Sequence, residues 1–449
     1  MKTNSWEGFS KLSLQERKRR LVDEGILSKE DCDDLQSGAL DSTFADHLVE
    51  NVIGVYSLPF SVAPHFLIDG KSYIVPLVTE ESSVVAALSF AAKLLAHNGG
   101  FQTQILGNMS IGQIQFPIVE DQQSFEEKIL KEKHNLIEKS HSFVPNLTAR
   151  GGGVRDILIR FLKRPDQKKM AVLHVLCDTK DAMGANLINQ ICEHLKPELE
   201  RLTQEKVGIC ILSNLVDTKL VEATCDLAIE ASLASSIEEA HLFAQLDPYR
   251  AVTHNKGIMN GIDALLVATG NDFRAVEAGA HAYASLKGQY TALTSWTYKN
   301  DKLHGKLILP IACGTVGGMT KAHPLAKLSL KILNIKTSQE LTRICAAVGL
   351  AQNFSALRAL CQEGIAQGHM KLHASNLALA AGATNENEIQ CVRDKLQYSP
   401  LKTVEQAKKI LDQFRKVKRH VVGCHCEICE TKHGNLEFMR AEGSNSINS

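Results

Sequence analysis

A polar, glycine-containing stretch in the second half of the chain carries Lys256 and Asn260, an ammonium and an amide suited to binding a developing negative charge. The apolar run at residues 262–268 is predicted to be core, and the turn after it ends in Asp272, just before a helical repeat of apolar residues. A carboxylate at that position can reach back to Lys256 and hold the cation in place. The alternative is that Asp272 only caps the helix and that Lys256 is a solvated loop lysine.

A second candidate acid stands at the start of an apolar segment. Residues 79–83 predict the first turn of a helix that continues through Leu88 and stops at Gly99. Because this segment is apolar nearly all round, the helix should be central and buried. Glu81 would then be partly desolvated and suited to donating a proton. The alternative is that Glu80 and Glu81 only interact with the positive end of the helix dipole.

Residues 107–208 have the pattern of an inserted domain. A strand, a Gly-containing loop and a helix follow one another around residues 178–186, an order that presents backbone N–H groups and a positive helix end to phosphate. The sequence contains no G-x-G-x-x-G fingerprint, so a Rossmann domain is not predicted. Taken by itself, the loop is more typical of a simple helix start.

Other segments complete the secondary-structure prediction. Residues 1–48 are expected to be helical, with helix starts at Ser13 and Ser28. A turn at residues 68–70 joins two apolar segments and predicts a hairpin. Residues 346–367 show the spacing of an amphipathic helix.

Several of these stretches resemble the class II, soluble bacterial 3-hydroxy-3-methylglutaryl-coenzyme A reductases. The resemblance rests on His254-Asn255-Lys256-Gly257-Ile258-Met259-Asn260-Gly261, Thr269-Gly270-Asn271-Asp272, Asp181-Ala182-Met183-Gly184-Ala185-Asn186, Gly314 to Gly318 and Glu50 to Gly54. It covers roughly residues 50–380, with the motifs in the family's order. Ser82, where relatives commonly have proline, and Cys313 depart from the family pattern, which puts only the local turn and packing in doubt.

The resemblance implies an oxidoreductase that interconverts 3-hydroxy-3-methylglutaryl-coenzyme A with mevalonate and free coenzyme A by two hydride transfers. The residues implied for catalysis are Glu81, Lys256, Asp272 and His369, and those for substrate binding are Ser83, Arg250 and Asn260. Lys256, oriented by Asp272, would stabilise negative charge on oxygen, and His369 would protonate the departing thiolate. Imidazole suits that step, because its ordinary pKa of ~6.5 lies below the ~8.5 of a thiol.

For the cofactor, the resemblance implies a nicotinamide dinucleotide on a small, ferredoxin-like, non-Rossmann domain, and no metal is needed for catalysis. The contacts it implies are Asp181, Met183, Gly184, Asn186 and Asn214. NADH users commonly place an acidic group on the ribose 2′-hydroxyl, whereas residues 139–150 carry Lys139, His141 and Arg150 and no acid. This favours NADPH over NADH, with Glu138 or a carboxylate distant in sequence as the alternative.

The predicted fold is α+β, with a large domain around the central buried helix, the inserted small domain and a C-terminal helical flap. The predicted bounds are 1–106 and 209–363 for the large domain, 107–208 for the small domain, 364–420 for the flap and 421–449 for a cysteine-rich, flexible tail. Closure of the flap would exclude water from the reaction intermediate. Cys424, Cys426, Cys429 and His433 in the tail have a spacing compatible with zinc, although a second half-site is missing.

Composition limits the partners. The 50 basic and 50 acidic residues among 449 give no net charge to attract nucleic acid. Apolar runs fall short of the ~18 residues of a membrane span and the N-terminus has no apolar signal segment, so a cytoplasmic enzyme is expected. Most of the 12 cysteines stand singly in apolar or helical stretches, which disfavours disulfides. The resemblance places residues 50–54 at a subunit contact and so implies a homodimer or larger homo-oligomer.

Two other functions are compatible with the residues. An enzyme of the same fold could act on another coenzyme A thioester. Alternatively, the chain could be a catalytically silent dimer whose tail binds a metal or a partner. The second alternative is disfavoured because Glu81, Lys256, Asp272 and His369 are all present, whereas a non-enzyme needs none of them.

Overall fold

The computed structural model describes residues 6–37, 40–362, 374–399 and 401–423. The chain divides into two compact units, residues 1–362 and 363–449. The first unit contains a six-stranded and a four-stranded sheet, and the described part of the second unit is helical. The division lies one residue before the start that the sequence predicts for the flap.

The strands, in chain order, are β1 (Phe60–Ile68), β2 (Lys71–Val78), β3 (Phe101–Ile105), β4 (Met109–Phe116), β5 (Gly153–Lys163), β6 (Lys169–Asp178), β7 (Cys210–Ser213), β8 (Leu220–Leu227), β9 (Thr294–Lys299) and β10 (Lys302–Pro310). The helices are α1 (Leu14–Asp23), α2 (Lys29–Ser37), α3 (Ser42–Asp46), α4 (Val84–His97), α5 (Gln122–Phe143), α6 (Pro145–Ala149), α7 (Ala185–Thr203), α8 (Ala231–Leu246), α9 (Pro248–Ala268), α10 (Phe273–Ala284), α11 (Gly318–Ala322), α12 (Pro324–Leu333), α13 (Ser338–Cys361), α14 (residues 374–380), α15 (Glu386–Leu396) and α16 (Val404–Gly423).

The large sheet has the strand order β2-β1-β3-β8-β10-β9. Its pairs are antiparallel except for β1 with β3. The predicted hairpin is confirmed, since β1 and β2 pair from Phe60 opposite Val78 to Ile68 opposite Lys71. This sheet supports helix α4, which packs against β1.

Helix α4 is central and buried, as its composition predicts. Leu88, Ala91 and Leu95 are fully enclosed in the main hydrophobic core. The helix begins at Val84 and not at residue 79, so the prediction that Glu81 lies in its first turn is wrong. Glu81 instead lies in the bend that joins β2 to this helix.

Helix α13 is not amphipathic, in contrast to the prediction for residues 346–367. It begins earlier, after a capping box of Thr337 and Glu340, and it ends at Cys361. Most of its residues are buried, against α4, α8, α9 and the large sheet. The helix is long and apolar enough to cross a membrane, but 72% of its apolar window is buried within the protein, as expected of a core helix. The prediction was wrong because it assigned polar residues such as Asn353 to an exposed face, whereas they are buried and hydrogen-bonded.

The small domain is ferredoxin-like, as predicted. Its antiparallel sheet has the order β5-β6-β4-β7, and α5 and α7 complete the β-α-β-β-α-β succession. The predicted apolar face of α7, including Ile188, Ile191 and Leu195, is buried in the core of this domain. The predicted boundary at residue 208 is too early, because Cys210–Ser213 completes the sheet as a strand too short to show periodicity.

The terminal regions show the predicted helix caps. Ser13 and Glu16 form a capping box at α1, and Ser28 and Asp31 exchange hydrogen bonds of 2.6 and 3.1 Å at α2.

In the second unit, Arg415 of α16 donates to both carboxylate oxygens of Glu388 at 2.8 Å. That pair ties α16 to α15 within the described part of this unit.

Leu88→Ala is expected to lower the free energy of unfolding by about 2–5 kcal/mol, because it leaves a cavity where the side chain is fully buried. Chemical denaturation of the full chain measures this. Leu130→Ala, on the 53% exposed Leu130 of α5, is the matched control and should cost less than about 1 kcal/mol. Equal losses in the two variants would contradict the central position of α4.

Candidate active site

The stretch around Lys256 is helical and not a loop. Asp247 caps α9 by accepting a hydrogen bond from the Arg250 N–H at 3.2 Å. Gly261 of this helix lies against α13, where an added Cβ would come within 3.0 Å of Val348. This close packing outweighs the low helix propensity of glycine, about 1 kcal/mol per residue. Tertiary packing therefore explains why this glycine-containing stretch is a helix, and the alternative of a solvated loop lysine does not hold.

The ammonium of Lys256 lies 2.9 Å from Oε2 of Glu81, a residue 175 positions away in sequence. The Glu81 backbone N–H donates to Thr79 Oγ1 at 3.1 Å, which fixes the bend before α4. The Lys256 and Glu81 side chains are 58% and 40% exposed. A bound substrate can therefore reach both members of this ion pair.

Asp272 does not pair with Lys256 in this structure. It caps α10 by accepting a hydrogen bond from the Ala275 N–H at 3.2 Å, and its Oδ1 lies 3.4 Å from Arg274 Nε. Within the described ranges, the ion-pair partner of Lys256 is Glu81. The capping alternative for Asp272 therefore holds here, and the predicted orienting contact with Lys256 is not formed.

Asp263 is an acidic group of the site that the sequence shows only as a break in an apolar run. It follows Lys256 and Asn260 on one side of α9, since the intervals of four and seven residues return to the same helix face. Burial and the nearby Glu277 carboxylate raise the pKa of Asp263 to about 8, and the Lys256 ammonium opposes this rise. At neutral pH, the Asp263 carboxyl group is therefore mostly protonated.

The three predicted substrate residues lie on α9, which carries Lys256, and at the start of α4, next to Glu81. Ser83 occupies the position just before α4 with φ of 78° and makes no capping hydrogen bond. Its buried hydroxyl has no hydrogen-bond partner among the described residues. Arg250 is half-buried, and desolvation lowers the pKa of its guanidinium. Asn260 is partly exposed, one turn of α9 beyond Lys256.

The loop from β6 to α7 is held at several points. Gly184 adopts φ of 100°, and an added Cβ would lie 2.4 Å from Thr179 Cγ2, so the position requires glycine. Asp181 Oδ1 accepts from the Ser338 N–H at 2.9 Å at the start of α13, a favourable place for a negative charge. The Asp181 carbonyl accepts from the Thr315 N–H at 2.8 Å. Asp181 thus fastens the loop to the large domain.

A small cleft separates this loop from the large domain, and Met183, Asn214 and Pro310 line it. The Gly314 turn closes one side, where a Cβ would come within 2.6 Å of the Met183 backbone nitrogen. Of the predicted cofactor residues, the structure brings Met183 and Asn214 together here. Asn186 is exposed on the first turn of α7.

A buried polar network behind α9 is absent from the sequence-based prediction. His254 Nε2 lies 2.6 Å from Thr294 Oγ1 and 3.0 Å from Asn353 Nδ2, and Asn353 Oδ1 accepts from Trp296 Nε1 at 2.8 Å. Burial lowers the pKa of His254 to about 3, with a contribution from the Arg250 charge. His254 is therefore a neutral structural residue that supports α9.

Two predicted features lie outside the described residues. One is His369, and the other is the tail from Cys424 to His433. Among the described residues, no group of three or more His, Cys, Asp or Glu side chains has an arrangement that could hold a metal ion.

Residues 13–374 match the family model described as hydroxymethylglutaryl-coenzyme A reductase. The chain belongs to this family. The predicted enzyme class and reaction, interconversion of the thioester with mevalonate and coenzyme A, are thereby confirmed. The alternatives of another thioester or a silent dimer are not favoured.

Curated relatives and solved structures agree with this assignment. The chain is 45% identical to the 3-hydroxy-3-methylglutaryl-coenzyme A reductase of Archaeoglobus fulgidus over 91% of this chain and 94% of the relative. A probable reductase of Borreliella burgdorferi is 36% identical over 79% and 82% of the two chains. A Streptococcus pneumoniae reductase structure superposes with a TM-score of 0.78 at 43% identity, covering 91% and 99%. A second structure from that species, described as class II and bound to NADPH in open conformations, gives 0.77 at 43% identity, covering 79% and 99%.

Asp263→Asn is expected to stabilise the protein increasingly as pH rises from 5 to 8. The raised pKa means that native Asp263 keeps a proton that the unfolded chain has released, so wild-type stability falls with pH by about 1.4 kcal/mol per unit in this window. Asparagine removes that dependence. Denaturation of both proteins across this pH range measures the difference.

Asp301→Asn, at an exposed turn residue, is the control for Asp263→Asn and should follow the wild-type profile. A stability difference between Asp263→Asn and wild type that stays constant from pH 5 to 8 would disprove the raised pKa.

Proposed function

We propose that Lys256 stabilises the oxyanion that forms when hydride reaches the thioester carbonyl. The observation that carries this proposal is the 2.9 Å contact between Lys256 Nζ and Glu81 Oε2. A charge-assisted hydrogen bond to a carboxylate orients the ammonium before the substrate arrives, so little reorganisation is needed as negative charge develops. Helix α9 provides a rigid base for the cation.

The proton transfers of the reaction are also assigned to Lys256 and Glu81. Hydride addition and one proton convert the thioester into a hemithioacetal. Its collapse returns the hydroxyl proton to the site, releases the coenzyme A thiolate and leaves an aldehyde. Hydride addition to the aldehyde and another proton give the alcohol. Glu81 is the proposed proton-transfer group. Its carboxylate accepts a hydrogen bond from the Lys256 ammonium that binds the reacting oxygen, so protons can pass between Glu81 and that oxygen through Lys256. Each hydride would come from a separate reduced nicotinamide dinucleotide, so two cofactor molecules would be oxidised for each thioester reduced to the alcohol.

His369 and Asp272 complete the proposed catalytic set. His369, outside the described residues, is proposed to protonate the thiolate, as the family motif implies. Asp272 lies at the start of α10 with its side chain 40% exposed, so a bound substrate can reach it. Its hydrogen bond to the Ala275 N–H fixes the position of its carboxylate.

Substrate recognition is assigned to Arg250, Ser83 and Asn260. The Arg250 guanidinium has no ion-pair partner within 4.0 Å in the described part of the chain, and a planar fork of donors suits the free carboxylate of the glutaryl group. The Ser83 hydroxyl is buried and has no hydrogen-bond partner in the part of the chain that the structure describes, so it is proposed to bond an acyl oxygen. Asn260 lies next to Lys256 on α9 and supplies an amide to the same group.

We assign the cofactor site to the loop and cleft around Met183 and Asn214, with NADPH as the preferred form. Of the basic residues predicted to read the ribose phosphate, Lys139 is paired with Glu198 at 2.9 Å and His141 with the Val154 carbonyl at 2.8 Å. Arg150 is exposed. Its guanidinium is therefore the proposed partner of the 2′-phosphate.

A homodimer in the cytoplasm is the proposed working state. Residues 50–54 precede β1 outside regular secondary structure, and Ile53 is fully exposed. Val49, Val55 and Tyr56 are exposed along the same stretch, and a group of exposed apolar side chains marks a protein interface, which agrees with the subunit contact that the motif implies. The burial of α13 within the core supports a soluble enzyme.

Lys256→Ala is expected to lower kcat by about 10²–10³, because it removes the donor that stabilises the oxyanion. The assay follows oxidation of NADPH with 3-hydroxy-3-methylglutaryl-coenzyme A, and its reverse with mevalonate and coenzyme A. Lys327→Ala, at an exposed lysine of α12, is the matched control and should keep wild-type turnover. Wild-type kcat in Lys256→Ala would contradict the proposed role of Lys256.

Arg150→Ala is expected to raise KM for NADPH about tenfold, equivalent to about 1.4 kcal/mol, and to leave KM for NADH unchanged. The reason is that only NADPH carries the 2′-phosphate. Steady-state kinetics with each nucleotide measure the effect, and Arg160→Ala on exposed Arg160 of β5 is the control. Equal changes for both nucleotides would contradict a phosphate contact.

A further inference from the structure

Lys219 is a buried lysine at the neck between the two domains of the first unit. The chain enters the small domain between β3 and β4 and returns between β7 and β8, and Lys219 is the last residue before β8. Only 7% of the residue is exposed. Its Nζ lies 3.5 Å from Ser110 Oγ and 3.3 Å from Thr179 Oγ1. Both of these partners belong to the small domain.

The environment of Lys219 is unusual for an ammonium. Within the described residues it has no ion-pair partner, and Asp178, the nearby acid, is bonded to Lys180 at 2.9 Å. Burial lowers the pKa of Lys219. Burying this group costs free energy that an apolar side chain of similar length would avoid. Packing alone therefore does not account for a lysine at this position.

The two hydroxyl groups connect Lys219 to the nucleotide loop and to the cleft. Thr179 Oγ1 accepts from Lys219 and donates to the Ala182 carbonyl at 2.8 Å. The Thr179 methyl group also occupies the space next to Gly184 that a Cβ would need. Ser110 is part of the cleft lining. A chain of contacts thus runs from the large domain, through Lys219 and Thr179, to the backbone that precedes α7.

We propose that Lys219 is a positioning residue that sets the loop of residues 178–184 for binding of a phosphorylated nicotinamide dinucleotide. It acts through the Thr179 hydroxyl and itself touches neither cofactor nor substrate. The inference rests on the proposed nucleotide site and adds the large-domain group that holds that site in its binding geometry.

The test uses the full chain with Lys219→Met, and it measures NADPH binding by titration calorimetry. The Kd for NADPH should rise about tenfold, while the Kd for coenzyme A should change less than twofold. The midpoint of thermal unfolding should not fall, because methionine removes the cost of burying the ammonium. Weaker nucleotide binding in a protein of equal or greater stability distinguishes positioning from a general structural role.

Thr179→Val, which replaces the hydroxyl with a methyl group of similar size, should weaken NADPH binding to the same extent. Since both residues belong to one relay, the double variant should be no worse than either single variant. Lys306→Met, at a lysine of β10 whose side chain is 46% exposed, is the control and should bind NADPH as wild type does.

Unchanged NADPH affinity in Lys219→Met would overturn the inference, as would additive effects in the double variant or parallel losses of stability and of affinity for both ligands. Gly184→Val distinguishes failure of the Lys219 inference from failure of the proposed nucleotide site, because it distorts the loop directly. If that variant also bound NADPH normally, the loop would not be the nucleotide site, and the inference would fall with it.

Discussion

Helix α13 must bury most of its residues on several sides at once, and the large domain is built around that constraint. Gly349 of this helix allows α9 to approach closely, since an added Cβ would lie 2.8 Å from Ile262 Cδ1. Helix α4 packs on α13 from another side. Because Lys256 belongs to α9 and Glu81 immediately precedes α4, the packing of three apolar helices determines the 2.9 Å separation of the two charged groups.

Elements with regular apolar periodicity could be predicted well from the sequence. The small domain is the best example, because alternating strands and the one-sided helix α7 each bury a single face. Prediction failed where tertiary contacts override local preference. Gly261 of helix α9 packs against α13, and Asn353 of α13 is hydrogen-bonded inside the core.

The candidate site could be predicted in its residue types but not in its contacts. The partner of Lys256 is 175 residues distant, and no local pattern distinguishes Glu81 from Asp272 as that partner. The protonated state of Asp263 depends on burial and on Glu277 of the next helix, which spacing does not record. The family motifs supplied the proposed roles, and the structure shows the contact of Lys256 with Glu81 but not the predicted contact with Asp272.

The hydrogen bond from the Ser338 N–H to Asp181 joins the nucleotide loop to the first turn of the longest core helix. The small domain is thus an insertion in sequence, but its nucleotide loop is held in place by a hydrogen bond to the large domain. An engineer who wished to graft a small domain with a different nucleotide preference would have to transplant the Arg150 segment between α6 and β5 and keep the recipient's own loop of residues 178–184. Exchanging the loop as well would remove a support from the hydrophobic core of the recipient.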